Sequence, residues 1–282
     1  MRIIRDIRDM QSASRAAKAQ GSTICFVPTM GALHEGHLSL VRYARTQGTL
    51  VVVSIFVNPL QFGPTEDFNQ YPRTLEADCA KLEAEGVEIV FAPSPAQMYP
   101  EGAKTVVYVE GLSEKLDGLS RPGHFKGVST VVAKLFNIVK PDYAIFGQKD
   151  AAQVAVLRRM VRDLNMDLEL IVSPTVREAD GLALSSRNVY LTPEQRCQAL
   201  VLHRALLKVE AEAKSGETSA EKLRSIALSV LASEPAAKLD YLEIVNPDTL
   251  EPVEDTSKGA LVAVAAAFGA TRLIDNVLLP KL

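Results

Sequence analysis

ICFVPTMGALHEGH, residues 24–37, decides the architecture. Its first part, ICFVPT (24–29), is a short apolar run that ends in a Pro-Thr turn. HLSLVRYARTQG (37–48) follows, with apolar residues at helical spacing and a terminal glycine. A strand that passes through a glycine-flanked turn into a helix is the start of an open α/β sheet. In such sheets ligands sit beyond the carboxyl ends of the strands.

The same rhythm extends outward. LVVVSIFVN (50–58) is β-branched and nearly continuous, as expected of a strand buried on both faces. TLEADCAKLEAEG (74–86) reads as an amphipathic helix and VEIVFAP (87–93) as a strand. GVSTVVAKLFNIVKP (127–141) is a helix stopped by proline; YAIFG (143–147), residues 151–165 and LELIVSP (168–174) repeat strand, helix and strand. The fold class is therefore α/β, a parallel sheet with helices on both faces. After Pro174 the pattern changes to a polar segment, two helices (193–214 and about 219–233) and three strand-like runs suited to antiparallel pairing. This places a smaller α+β domain at 175–282 behind a larger one at 1–174.

The 282 residues are 47% hydrophobic and 23% charged, enough to bury a sizeable core without covalent staples. A formal charge of -3 gives no basic field for nucleic acid. Cys25, Cys79 and Cys197 are scattered, with no CxxC pair, which fits a reducing compartment and argues against a disulfide framework or a thiolate metal site. Cys25 reads as a small core residue rather than a nucleophile. MRIIRDIRDMQ lacks the apolar stretch of a signal peptide. GALVAVAAAFGATRLIDNVLL (259–279) is interrupted by Gly269, Arg272 and Asp275 and reads as two core strands, not a membrane span.

Chemistry-bearing residues cluster where strands end. In PTMGALHEGH (28–37), Gly31 and Gly36 allow close backbone approach, and the following helix N-terminus favours phosphate. His34 and His37, three apart, can lean toward one spot. The spacing resembles a P-loop, but His37 and Leu38 stand where Lys and Ser/Thr are needed. HEGH is one residue short of the zinc-protease pattern. IFVNPLQFG (55–63) carries the amides of Asn58 and Gln61, suited to hydroxyl and carboxylate groups or simply to a polar turn. YAIFGQKD (143–150) offers Lys149 to a phosphate, Asp150 as a helix cap and Gln153 one turn further on. READGLALSSRN (177–188) offers Ser185, Ser186 and Arg187, a phosphate clamp or a solvated linker. RPGHFKG (121–127) contributes Arg121 and His124, with anion binding and a subunit contact both open.

Taken in order, these segments resemble the pantothenate synthetase (pantoate–β-alanine ligase) family, part of the nucleotidyltransferases with a histidine signature. The likeness runs from about Ile24 to Leu191 and more loosely to the C-terminus. It implies a Rossmann-like domain for nucleotide and pantoate at 1–174 and a lid domain at 175–282. The implied reaction is ATP-dependent joining of pantoate to β-alanine through pantoyl adenylate, releasing pyrophosphate and AMP. By the same likeness Met30, Gly31, Ala32, Leu33, His34, Glu35, Gly36 and His37 line the ATP site, with His37 as proton donor. Gly147, Gln148, Lys149, Asp150, Val176, Leu184, Ser185, Ser186 and Arg187 also meet ATP. Catalysis falls to His34, His37, Lys149 and Arg187. Gln61 and Gln153 hold pantoate, Gln61 also lies near β-alanine, and Asn58 belongs to that pocket.

Mg2+ is expected on the ATP phosphates; its protein ligands are left unassigned, with Asp78 a candidate. A cytoplasmic homodimer is implied, with no membrane and no nucleic-acid partner. The family often has Glu at the position of Gln148, Tyr-Gln at Ala151-Ala152 and Met at Leu184, departures that bear on rates more than on the reaction. Three rival readings are a nucleotidyltransferase that stops after nucleotidyl transfer, a metal-dependent hydrolase using His34, His37, His124 and an Asp, and a non-enzymatic nucleotide sensor.

Overall fold

Apolar runs long enough to be covered on both faces become the centre of a parallel sheet. The computed structural model describes residues 1–64 and 66–282. Up to residue 173 its elements are β1 (Arg2–Ile4), α1 (Ile7–Ala19), β2 (Ile24–Thr29), α2 (Glu35–Gln47), β3 (Leu50–Ile55), α3 (Leu75–Ala84), β4 (Ile89–Phe91), α4 (Pro95–Met98), α5 (Asp117–Ser120), α6 (His124–Val139), β5 (Tyr143–Gly147), α7 (Ala151–Asp163) and β6 (Glu169–Ser173). The six strands are all parallel, in the order β1-β4-β3-β2-β5-β6. Strand order reverses between β2 and β5, the switch point at which α/β sheets open a crevice. β2 and β3 pair without a shift from Ile24↔Leu50 to Thr29↔Ile55, so the turns after both strands leave the sheet at one level.

The chain divides into two compact units, Met1–Gly147 with Val156–Ser173, and Gln148–Ala155 with Pro174–Leu282. In the first, Cys25, Val27, Val41, Val53, Leu82 and Val90 form one buried cluster against the sheet. Phe26 is completely buried, edge-on to Phe136 of α6. Such burial contributes roughly 2–3 kcal/mol per large apolar side chain. Burial, and secondarily Asp142, pushes the Cys25 thiol up to about 11, in keeping with a core residue.

The second unit holds α8 (Pro193–Lys214), α9 (Ala220–Leu231), β7 (Lys238–Val245), β8 (Lys258–Phe268) and β9 (Thr271–Lys281). The strands form an antiparallel sheet in the order β7-β8-β9. Leu202, Val209 and Leu223 of the helices pack on Val262, Val264 and Phe268 of β8. Thr192 and Gln195 form a capping box before Pro193, so α8 starts where the Pro signal put it. The apolar segment 259–279 is β8 and β9, as expected. Among the described residues no helix is long and apolar enough to cross a membrane.

Two differences from the sequence reading have clear causes. β1 and α1 escaped notice because the strand has three residues and only Ile4 of it is buried, while α1 buries only Met10 and Ser14. The sixth helix begins at His124, not near residue 127. Gly123, at φ 84°, makes the tight bend that brings His124 onto the first helical turn.

Candidate active site

The turn after β2 is held from beneath. Gly31 has φ 85° and Ala32 φ 50°, the second a left-handed conformation that a non-glycine residue adopts only when its surroundings enforce it. The enforcing group is Asp78 of α3, which is completely buried. Its carboxylate accepts the N–H groups of Ala32 at 2.9 Å and Leu33 at 2.8 Å, and the Thr74 hydroxyl at 3.1 Å. Lys81, one turn along the same helix, donates to the Leu33 carbonyl at 2.5 Å. Asp78 is thus committed to the backbone, which corrects its candidacy as a metal ligand. A polar residue on the buried side of a helix was the signal for this brace.

Helix α2 is capped by imidazoles. His34 is its N-cap, and His34 Nδ1 accepts the Gly36 N–H at 3.1 Å. Three residues on, His37 Nδ1 accepts the His34 N–H at 3.4 Å, completing a capping box normally built from Ser/Thr and Glu. The ring centroids lie 4.1 Å apart, so the two histidines do converge. With Nδ1 accepting in both, each neutral ring carries its proton on Nε2. The Gly36 N–H goes to His34, so one backbone donor at the head of α2 is taken by its own cap. Glu35 pairs with Arg42 on the outer face of the helix.

The turn after β3 builds a second set. Asn58 is 1% exposed, and all its amide hydrogen bonds stay inside the protein. Its Nδ2 donates to Gln61 Oε1 and to the Gly127 carbonyl, each at 3.1 Å, while its Oδ1 accepts the Tyr99 hydroxyl at 2.7 Å and the Leu60 N–H at 3.3 Å. Asn58 therefore orients Gln61, whose Nε2 lies 2.9 Å from Met30 Sδ. Met30, His34, His37 and Gln61 are all half-buried. The RPGHFKG segment wraps this turn. Arg121 pairs with Glu66 at 2.6 Å, and His124 Nδ1 meets the Gln61 carbonyl at 2.8 Å. A Cβ at Gly127 would stand 2.2 Å from the Leu60 carbonyl oxygen, so only glycine lets α6 approach.

In the second unit, Gln148, Lys149 and Asp150 form a 3-10 turn ahead of α7, with Gln153 on that helix's first turn. Lys149 Nζ lies 3.3 Å from Asp150 Oδ1. Asn276 of β9 donates to the carbonyls of Gln148 at 3.0 Å and Lys149 at 2.8 Å, and accepts the Gln148 amide at 3.0 Å. Arg177 makes a bidentate pair with the buried Asp275, at 2.6 and 2.9 Å, and donates to the Gly181 carbonyl at 3.1 Å. Leu184 N–H joins the Val176 carbonyl at 3.0 Å. Ser185 caps the short 3-10 helix Ser186–Tyr190 through the Arg187 N–H at 3.3 Å. Lys149 and Ser185 line one small void of about 10 Å³ with His203 and Asp275. Asn276 and the Arg177–Asp275 pair were missed, although an acidic residue inside an apolar strand signals a cationic partner.

A family model described as Pantoate-beta-alanine ligase matches residues 2–278. The chain belongs to the pantoate–β-alanine ligase family. Members of this family condense pantoate with β-alanine at the expense of ATP. The chain is 64% identical to the pantothenate synthetase of Koribacter versatilis over 99% of its own length and 96% of the relative's. It is 62% identical to that of Acidobacterium capsulatum, covering 98% and 93%. A crystal structure of pantothenate synthetase from Thermus thermophilus matches with a TM-score of 0.93 at 49% identity, over 98% of this chain and 99% of that one. The ligase from Francisella tularensis, solved as a complex with beta-gamma ATP and beta-alanine, matches with a TM-score of 0.81 at 35% identity, over 99% and 97%. The pantoate–β-alanine ligase fold thus covers both units of the chain.

Proposed function

We propose that this chain makes pantothenate in two steps on the residues described above. Pantoate carboxylate attacks the α-phosphorus of ATP and pyrophosphate leaves. The β-alanine amine then attacks the acyl carbon of pantoyl adenylate and AMP leaves. The observation that carries the reading is the pair of capping imidazoles at the head of α2, each with Nδ1 held by a backbone N–H.

Charge builds on the departing pyrophosphate, so the reaction needs placed donors and cations rather than a covalent nucleophile. His34 and His37 supply Nε2–H donors, with His37 in the proton-donor role. Lys149 and Arg187 supply cations, and Ser185 and Ser186 hydroxyls. Met30 to His37, Gly147, Gln148, Asp150, Val176 and Leu184 border the nucleotide. Gln61 and Gln153 hold pantoate, and Asn58 acts through Gln61, which its amide orients. Among the described residues no three His, Cys, Asp or Glu side chains group as a metal cage. Mg2+ carried on ATP phosphates and water does not require one, and it would neutralise phosphate charge.

The family also supports a homodimer built through the first unit, where Val106, Tyr108 and Leu119 are exposed. Three cysteines outside any disulfide support a cytoplasmic setting. The deciding experiment is an AMP-release assay with pantoate, β-alanine and ATP, omitting one component at a time. AMP should appear only with all three, and light scattering should give twice the chain mass. AMP formed without an amine acceptor, or none with the full set, overturns the reading.

A further inference from the structure

The ring of His124 links the Arg121–Glu66 pair, which the reaction does not otherwise use, to the main chain of Gln61. On one side Arg121 Nη1 lies 3.0 Å from His124 Nε2. A guanidinium only donates, so Nε2 must accept and the ring proton sits on Nδ1. That Nδ1–H points at the Gln61 carbonyl oxygen, 2.8 Å away, where Arg121 Nη2 also arrives at 3.3 Å. Arg121 is fixed in turn by both oxygens of Glu66, at 2.8 and 2.6 Å.

We propose that His124 is a positioning residue for pantoate: as a neutral ring protonated on Nδ1 and locked from behind by the Arg121–Glu66 pair, it fixes the Gln61 backbone so that the Gln61 amide meets the acid substrate in one orientation. The inference rests on the reading of the chain as a pantoate-activating ligase.

The geometry leaves little slack. The Gln61 side chain is held by Asn58, and its main chain by His124 and Arg121. Gly127 places α6 against Leu60, so Asn58, Arg121, His124 and α6 together clamp the turn. The charged groups around the ring are Arg121, Glu66 and Asp117, and Phe125 packs at 5.1 Å between centroids. Burial first, and the Arg121 charge second, lower the ring to about 4, so it stays uncharged in the working range. A charged ring would set an N–H against the guanidinium. A site held within about half an ångström binds well, and loosening it costs affinity first.

The test compares the wild type with His124→Phe and His124→Asn. Phenylalanine keeps the ring volume and loses both bonds. Asparagine places an N–H near the Nδ1 position and keeps the donor to Gln61. With His124→Phe, KM for pantoate should rise tenfold or more while KM for ATP stays within twofold. With His124→Asn, KM for pantoate should stay within about threefold of wild type.

Equal pantoate KM in His124→Phe and wild type overturns the inference. So does equal impairment of both variants, or a parallel rise of every KM. Nitrogen NMR of the wild-type histidines adds a readout independent of turnover: the His124 ring at pH 7 should be the neutral Nδ1–H tautomer. An Nε2–H tautomer or an imidazolium there overturns the clamp itself. Wild-type protein that makes no AMP, with the Nδ1–H tautomer intact, sinks the ligase reading and the pantoate role together but leaves the clamp standing.

Discussion

The carboxylate of Asp78 lies under Leu33, accepting its backbone N–H at 2.8 Å, while Lys81 from the same helix donates to the Leu33 carbonyl. One peptide segment is thereby gripped at both its polar ends, next to the strained φ of Ala32. Asp78→Asn should cost about 3 kcal/mol, because one buried backbone donor loses its charged acceptor and faces an amide N–H. Urea unfolding measures the loss. KM for ATP should rise more than KM for pantoate; equal stability in the variant would show that the turn holds itself.

His34 and His37 differ in what their removal should do. His37→Ala should slow pyrophosphate release with ATP and pantoate about a hundredfold, the usual cost of losing one placed donor, and leave the fold intact. His34→Ala should lose a similar factor and about 1 kcal/mol more, since His34 also caps α2. His34→Asn restores a good N-cap. It should regain the stability and not the rate, which separates the two jobs. A near-normal pyrophosphate rate in His37→Ala would contradict its assignment.

Arg177 faces a carboxylate that is only 3% exposed. Arg177→Leu strands that Asp275 charge and should destabilise the protein by about 3–5 kcal/mol. The double variant with Asp275→Leu should recover most of this, because both buried charges are then gone. Thermal unfolding of the three variants gives the answer. Equal losses in the single and double variants would rule out the stranded charge as the cause.

The low value of His124 has a sign. The native ring stays neutral down to about 4, while the unfolded ring takes a proton near 6.5. Between those values the unfolded chain binds more protons, so stability falls as pH falls through that window, by roughly 3 kcal/mol in all. Glu66 acts lower down. Burial raises its carboxyl, the Arg121 bonds outweigh that, and its contribution disappears below the ordinary carboxylate range. Urea midpoints from pH 7 to 4.5 should slope for the wild type and be flatter for His124→Asn.

How much of this was legible beforehand differs by feature. The β2–turn–α2 unit was readable because a two-sided buried strand, two glycines and a helical period are local signals. The convergence of His34 and His37 followed from their spacing. The 121–127 segment was visible as a motif but not as a function. Its partners, Asn58, Gln61 and Glu66, lie 55 to 69 residues away in sequence, and no local pattern names a long-range hydrogen bond.

Local patterns in the chain were therefore enough for the alternation that makes a parallel sheet, the antiparallel character of the second unit, and which turns carry polar chemistry, since all of these are set by neighbours a few residues apart. Which polar residues brace and which face outward was settled only when distant segments packed together. Asp78, Asn58 and His124 are ordinary polar residues in sequence. They become structural groups because folding buries them in whole or in part, and a buried polar group is stable only where its hydrogen bonds are made.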